Sequence, residues 1–356
     1  MNVMEHGENN RANDSDQELE LEQTILAIVK NTLPAVRFAK NTAKALRRLS
    51  SVGTDTLVSA LEAGSSWFQL KKARNENFLA ELAKLPRGQS AIGVKVADNL
   101  VQEQRRIDQL VFEAIEHIQA DESSESPGES EKVGKSESSD EIGDDWLECF
   151  RREAAVRTQG EMRETFARIL AGEIRHPGKF SIRTLRTVGS LDQSTATLFR
   201  KAASLRVSME LVAQDTQTGS RIYILDARIP SLGGQLGDNF LENEGLAYSQ
   251  LIHLTENGLL HSDYDSWSIY NYSIFQQELV RNVPIIPLFH QNQNWVLKPL
   301  PKFNASSKLK IHGAKFTTVG QELLHIVDIE KNAKFLEKLK THLKQKNVEL
   351  IPFAVT

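Results

Sequence analysis

The side chains that could do chemistry are scattered along this sequence. Nine histidines are present, and none falls in an H-E-x-x-H or H-x-H arrangement. A protein zinc site draws on clustered imidazoles or thiolates at such spacings. The single cysteine, Cys149, leaves no thiolate pair and no intramolecular disulfide, which fits a reducing cytoplasm. Cys149 shares an apolar helix face with Trp146 and Phe150 and reads as a small buried hydrophobe, not a nucleophile. Asp263 and Asp265 lie near His261. Such a trio can ligate a divalent cation, but the same residues build a polar hairpin turn, which is the preferred reading. No G-x-S-x-G elbow and no G-x-x-x-x-G-K-[ST] loop occurs, and the glycine-rich run from Gly233 to Gly237 lacks the lysine. Glu173 and His176 flank a helix end, where the helix dipole explains the histidine more simply than acid–base work does. No catalytic residue, metal or cofactor is expected.

Cations offer more. Arg175, Lys179, Arg183 and Arg186 surround a Pro-Gly turn. Folded to one side beside the start of a short helix, they would form an anion-binding patch. The competing reading pairs Arg175 and Arg183 with Glu173 and Glu164 to fix the turn. Charge is also segregated along the chain. Residues 1–22 hold seven acids and one base, and residues 121–145 hold ten acids and two bases, so a chain of net charge -4 carries +10 in the remainder. A basic body of this kind can bind nucleic acid, or the acidic segments can screen it and aid solubility.

The elements that must position these residues follow from periodicity. The composition, 40% hydrophobic and 25% charged, is that of a globular protein, and its 356 residues allow two or three domains. Residues 1–22 are acidic and aperiodic, which predicts disorder. Residues 23–120 read as a helical hairpin or small bundle in three stretches, the first a basic amphipathic helix over 25–49. Residues 121–145 are rich in Ser and Glu and read as a flexible acidic linker. Residues 146–214 form a central helical module. Its starts at Asp145/Glu148, Thr158/Glu161 and Ser190/Gln193 resemble capping boxes, and Ser181 can cap a short helix. Residues 215–356 read as an α+β module. Its order of helix, turn and strand, then strand and helix, resembles a winged helix with Ser249, Gln250 and His253 on the candidate reading helix. Residues 330–345 read as a basic helix.

The centre of the chain carries a resemblance. Trp146, Leu170-Ala171-Gly172-Glu173, Pro177-Gly178, Phe180-Ser181 and Arg183-Thr184-Leu185, followed by Ala196 and Phe199, look like the signature of a bacterial family known as domain of unknown function 2806. Thr158-Gln159-Gly160 departs from the family's usual helix start, with the capping role kept by Thr158 and Glu161. The resemblance implies no reaction. A weaker similarity to helical abortive-infection proteins implies phage defence by association.

The expected fold class is therefore mainly α, with helical bundle segments and a C-terminal α+β module ending in a winged-helix-like tail. The expected function is that of a non-catalytic cytoplasmic interaction protein in defence or regulation, whose partner is a protein or a second copy of itself. A nucleic-acid-binding regulator acting through the C-terminal module, and a peripheral membrane protein acting through 25–49, are the alternatives.

Overall fold

Helices whose apolar residues recur every three or four positions account for the first part of the chain, and alternating segments for the last. A computed structural model describes residues 39–50, 91–124, 141–157, 160–214, 221–233, 240–264, 267–270, 279–280, 283–284, 287–303 and 309–353. The acidic N-terminal segment 1–22, the middle one of the three helical stretches expected within 23–120, residues 125–140 of the linker, and residues 234–237 and Asp265 lie outside them. The chain divides into two compact units, residues 1–189 and 190–356.

The first unit is helical: α1 (Ala39–Leu49), α2 (Ala91–Ser124), α3 (Asp144–Ala155), α4 (Gly160–Arg175) and α5 (Ile182–Ser190). The long α2 buries Ile107, Leu110, Val111, Ala114, Ile115 and Ile118 as one stripe. It packs mainly against α4, which contributes Phe166, Ile169, Leu170 and Ile174. Trp146 and Phe150 of α3 stack at 5.4 Å, and Phe150 meets Phe166 edge to face at 5.8 Å. Cys149 is buried on that same helix. The described part of the basic segment 25–49 is α1, which buries Ala45 and Leu49 against this bundle. Its Lys44 lies 3.3 Å from Asp144, and Arg48 lies 3.4 Å from the same carboxylate. Two helix starts differ from expectation. Helix α3 begins after Gly143, which has no capping side chain. Asp192, not Ser190, caps the helix that opens the second unit. In both cases a nearby residue with the right backbone geometry takes the N-cap position.

The second unit runs α6 (Gln193–Ser204), β1 (Val207–Gln214), β2 (Arg221–Pro230), a short 3-10 helix (Phe240–Glu244), α7 (Tyr248–Glu256), β3 (Trp267–Tyr270), the short pair β4 (Leu279–Val280) and β5 (Val283–Pro284), β6 (Pro287–His290), β7 (Gln293–Pro299), β8 (Leu309–Lys315), α8 (Thr318–Leu323), α9 (Ala333–Gln345) and β9 (Val348–Pro352). Seven strands form one sheet in the order β3-β8-β2-β1-β6-β7-β9, and every pairing is antiparallel. Helix α9 turns Leu339 and Leu343 onto Val207, Leu288, Leu297, Ile311 and Leu350. One helix thus reaches side chains from β8, next to one end of the sheet, to β9 at the other, which requires the sheet to curl around it.

This sheet overturns the expected fold class. The chain is not mainly α with a winged-helix-like tail, because the second unit is organised around the curled antiparallel sheet. The expectation placed Val207–Gln214 at the end of a helical module, whereas it is a central strand paired with Arg221–Arg228 over its whole length. It also passed over β6, β7 and β8. Gln291 and Asn292 both take positive φ, at 51° and 57°, in a two-residue hairpin turn. The sequence H-Q-N-Q lacks the glycine that usually marks such a turn. Gly313 explains another hidden feature. It has φ 151°, and a Cβ there would lie 2.0 Å from the Ile229 carbonyl oxygen, so only glycine lets β8 approach β2 this closely.

Candidate functional site

The signature residues come together, and they satisfy one another. Glu173 is 2% exposed at the end of α4. Its carboxylate accepts hydrogen bonds from the backbone amides of Gly178 at 2.6 Å and Phe180 at 2.9 Å. The Trp146 indole donates to the Phe180 carbonyl at 2.7 Å. Gly172 leaves space for the Phe180 ring, whose nearest carbon would stand 2.6 Å from a Cβ at that position. Ser181 Oγ accepts from Thr184 N at 3.2 Å and starts α5. The L-A-G-E, P-G and F-S elements therefore form a lock: a carboxylate holds the amides of a tight turn, and the turn's phenylalanine lies on a helix glycine. Glu173 is committed to backbone donors, which accounts for the residue without acid–base chemistry.

The four cations around this turn have different fates. Arg175 donates to the Ile118 carbonyl at 2.7 Å, near the end of α2. Glu164 is taken by Arg168 at 3.0 Å and His117 at 2.9 Å. The Lys179 ammonium sits 5.8 Å from the Phe180 ring centroid. Arg183 and Arg186 are exposed, three residues apart on α5.

Of the three residues on α7, only Ser249 is exposed. Gln250 Oε1 accepts from the Ala247 amide at 2.8 Å and secures the helix start. His253 Nε2 meets Thr195 Oγ1 at 2.7 Å and ties α7 to α6. Thr195 N in turn donates to Asp192 at 2.7 Å. This bond, the Thr195 hydroxyl and the Ser194 hydroxyl hold the Asp192 carboxyl down at about 2.

A hollow lies elsewhere in the second unit. A cavity of about 450 Å3 opens between the 3-10 helix, the end of β2 and α9. Its floor is apolar, with Leu232, Leu241 and Phe335, and its rim carries Lys338, Thr341 and His342. Helix α9 is positioned by Asn332, whose side chain accepts from Phe335 N at 3.0 Å, while Gln291 donates to the Asn332 carbonyl at 3.0 Å. Phe335, Leu339 and Leu343 anchor the buried stripe. On another stripe Lys334, Lys338, His342 and Lys346 recur every four residues. Like charges at this spacing disfavour a helix by about 0.2–0.5 kcal/mol per pair. Glu244 relieves one of them by pairing with Lys338. Lys346 donates to the Lys310 carbonyl at 3.1 Å, and burial lowers its pKa. Burial lowers that of His342 too, assisted by Lys346 and His312, against a hydrogen bond to the Leu232 main chain. Sequence reading identified a basic helix here and missed the four-residue spacing, which was the available signal.

Other charged groups in this unit are structural. Asp226 and Arg228, each 2% exposed, form a two-pronged ion pair at 2.9 and 2.8 Å, and Arg228 also donates to the Ile311 carbonyl at 3.0 Å. His290 is fully buried, and its Nδ1 donates to the Arg206 carbonyl at 2.7 Å. Burial lowers its pKa, against the hydrogen bond to the Arg206 carbonyl. Among the described residues no group of three or more His, Cys, Asp or Glu could hold a metal ion, and no helix is long and apolar enough to cross a membrane.

The profile of a family described as a protein of unknown function, DUF2806, matches residues 94–340, more than half of the chain. Comparison with curated proteins gives no match, and neither does comparison with solved structures.

Proposed function

The chain belongs to the family of unknown function DUF2806, and we propose that it acts as a nucleic-acid-binding regulator through its second unit. One observation carries this reading. From Lys298 to Lys346 the chain has eleven lysines against four carboxylates, and Lys298, Lys302, Lys310, Lys331, Lys334 and Lys344 are all exposed. Such a band suits a phosphate backbone, where lysines neutralise successive charges and release counterions. The interaction is one of charge and position more than base reading, because Gln250 and His253 spend their side chains inside the fold. In a bacterial cytoplasm, the same activity would serve the regulatory or defence role implied by the sequence.

The test is binding of the full chain to a labelled duplex and a labelled single strand across a salt series. If about four to six phosphates are engaged, log K falls with log salt at a slope of about -3 to -5. Replacing Lys298, Lys302 and Lys331 by Glu should make the slope shallower by about one for each phosphate that is no longer neutralised. Affinity that is insensitive to salt refutes the reading. Binding that survives these changes and disappears with Arg183→Glu and Arg186→Glu would transfer the interface to α5 of the first unit, the anion-binding surface expected from the sequence.

A further inference from the structure

We propose that the cavity along α9 is a binding site for an elongated aliphatic monocarboxylate, with the carboxylate at Lys334 and the hydrocarbon tail lying over Phe335, Leu241 and Leu232. The inference goes beyond the nucleic-acid reading, because it concerns an apolar cavity and one small ligand, not a band of surface lysines.

The spacing of the lining residues gives the cavity its shape. Helix α9 contributes Lys334, Lys338, Thr341 and Gln345, at intervals of four, three and four residues that keep to one helix face. From the first of these to the last a helix rises about 16 Å, so the cavity is drawn out along α9. The facing wall is the 3-10 helix and the end of β2. Lys338 pairs with Glu244 of the 3-10 helix, and His342, one turn further along, is hydrogen-bonded to the Leu232 main chain. Apolar side chains follow this whole course. Phe335 adjoins Lys334 in the sequence, Leu241 belongs to the same short helix as Glu244, and Leu232 lies by His342. A volume of about 450 Å3 suits a small organic ligand, and a cavity extended over three helical turns suits an aliphatic tail better than a ring.

Charge sets the head group. Of the carboxylates and ammonium groups that line the cavity, Glu244 and Lys338 are paired with each other, and Glu337 is paired with Lys340 at 2.8 Å. Lys334 also lines it, is exposed, and has no ion pair among the described residues. One positive charge is thus left unanswered at one end of an apolar floor. A single carboxylate answers it. A cationic ligand meets two acids that are already taken, and a doubly charged phosphate meets Glu244 and Glu337 without a second free ammonium. The head group supplies selectivity more than affinity, since an exposed ion pair changes binding by a factor of up to about five. The tail supplies more, at about fourfold for each methylene group removed from water.

The full chain is titrated with octanoate, hexanoate, 1-octanol, octylamine and phenylacetate at constant ionic strength. Binding is followed by calorimetry and by the imidazole resonances of His342, which lines the cavity. One octanoate is expected to bind per chain and to move those resonances. Octanoate should bind about tenfold more tightly than hexanoate, which is shorter by two methylene groups, and about two- to fivefold more tightly than 1-octanol. Lys334→Gln should erase the preference for octanoate over 1-octanol. Lys344→Gln, at an exposed lysine of the same helix that does not line the cavity, should leave it. Thr341→Trp fills the cavity from an exposed position of α9 and should weaken octanoate at least tenfold with an unchanged melting temperature. The proposal is overturned by the absence of saturable octanoate binding, or by tighter binding of octylamine or phenylacetate than of octanoate. It is also overturned if octanoate binds Thr341→Trp as well as the unchanged chain, or if the preference over 1-octanol survives Lys334→Gln. Failure here is distinguishable from failure of the nucleic-acid reading, whose test replaces Lys298, Lys302 and Lys331, none of which lines the cavity.

Discussion

The signature turn of the first unit and the α9 stripe of the second are both rich in charge and use it in opposite ways. At the turn, the groups that look chemically active in the sequence are consumed locally. Glu173 holds two amides, Arg175 holds a carbonyl of α2, and Lys179 sits by Phe180. Along α9, Lys334, Lys338, His342 and Lys346 are ranked one above another, with Glu244 offsetting one of them. A recognisable motif can thus be a folding device, while the lysines of an inconspicuous helix stay near the surface, with Lys334 exposed and Lys338, Lys340 and Lys344 within reach of Glu244, Glu337 and Glu349. Motif strength and functional potential are separate quantities in this chain.

The buried ion pair gives the largest effect and fixes the structural end of this contrast. Arg228→Ala takes the two-pronged partner from the buried Asp226 carboxylate, leaving Lys315 only at 4.0 Å, and should cost about 3–5 kcal/mol. Chemical denaturation should show a shifted midpoint for the second unit, and an unchanged midpoint would mean the pair is dispensable. Glu173→Ala is the corresponding change in the first unit. It abandons the Gly178 and Phe180 amides, at about 1–3 kcal/mol each. If the turn is purely a lock, this variant loses stability in proportion and keeps the nucleic-acid binding proposed for the second unit. A loss of ligand binding without loss of stability would make the turn a site.

Smaller changes sharpen the same distinction. Gly172→Ala pushes a methyl group against the Phe180 ring and should cost about 1–3 kcal/mol. Thermal melts would detect it, and a wild-type melting temperature would show that the ring can move aside. Asp192 supplies the smallest effect. Its folded pKa, about 2, lies below the ordinary 3.8, so its contribution to stability is fully present above that ordinary value and is lost as pH falls through the folded one. Stability measured across this window should fall less steeply in Asp192→Asn than in the unchanged chain. Identical slopes would mean that the Thr195 and Ser194 hydrogen bonds do not bias its ionisation.

Parts of this architecture were legible in the sequence because they are local. Apolar spacing marked the stripe of α2, and Ser181 was visible as the cap of α5. Strand β2 was readable from the β-rich apolar residues of R-I-Y-I-L-D-A-R-I after a Gly-Ser turn. The buried salt bridge within it was not, because Asp226 and Arg228 have the side-chain types of solvent-facing residues, and their burial appears only in the folded unit. Gln250 and His253 illustrate the same limit. Their types and exposure-prone positions on a short helix are those of a reading surface, yet Ala247 and Thr195 claim both side chains.

What the sequence determined by itself was its family, through the residues between Trp146 and Phe199, together with the helices and the uneven distribution of charge. These depend on residue type and on spacings of three, four or seven positions, which a chain displays without being folded. Tertiary structure alone decided that the second unit is a curled antiparallel sheet, since its neighbours β2 and β8 are separated by about half of that unit. It also decided which cations are spent and which are not. Arg175 meets α2 across 57 positions of sequence, and Lys346 meets β8 across 36. Contacts over such separations form only when packing has already brought the elements together.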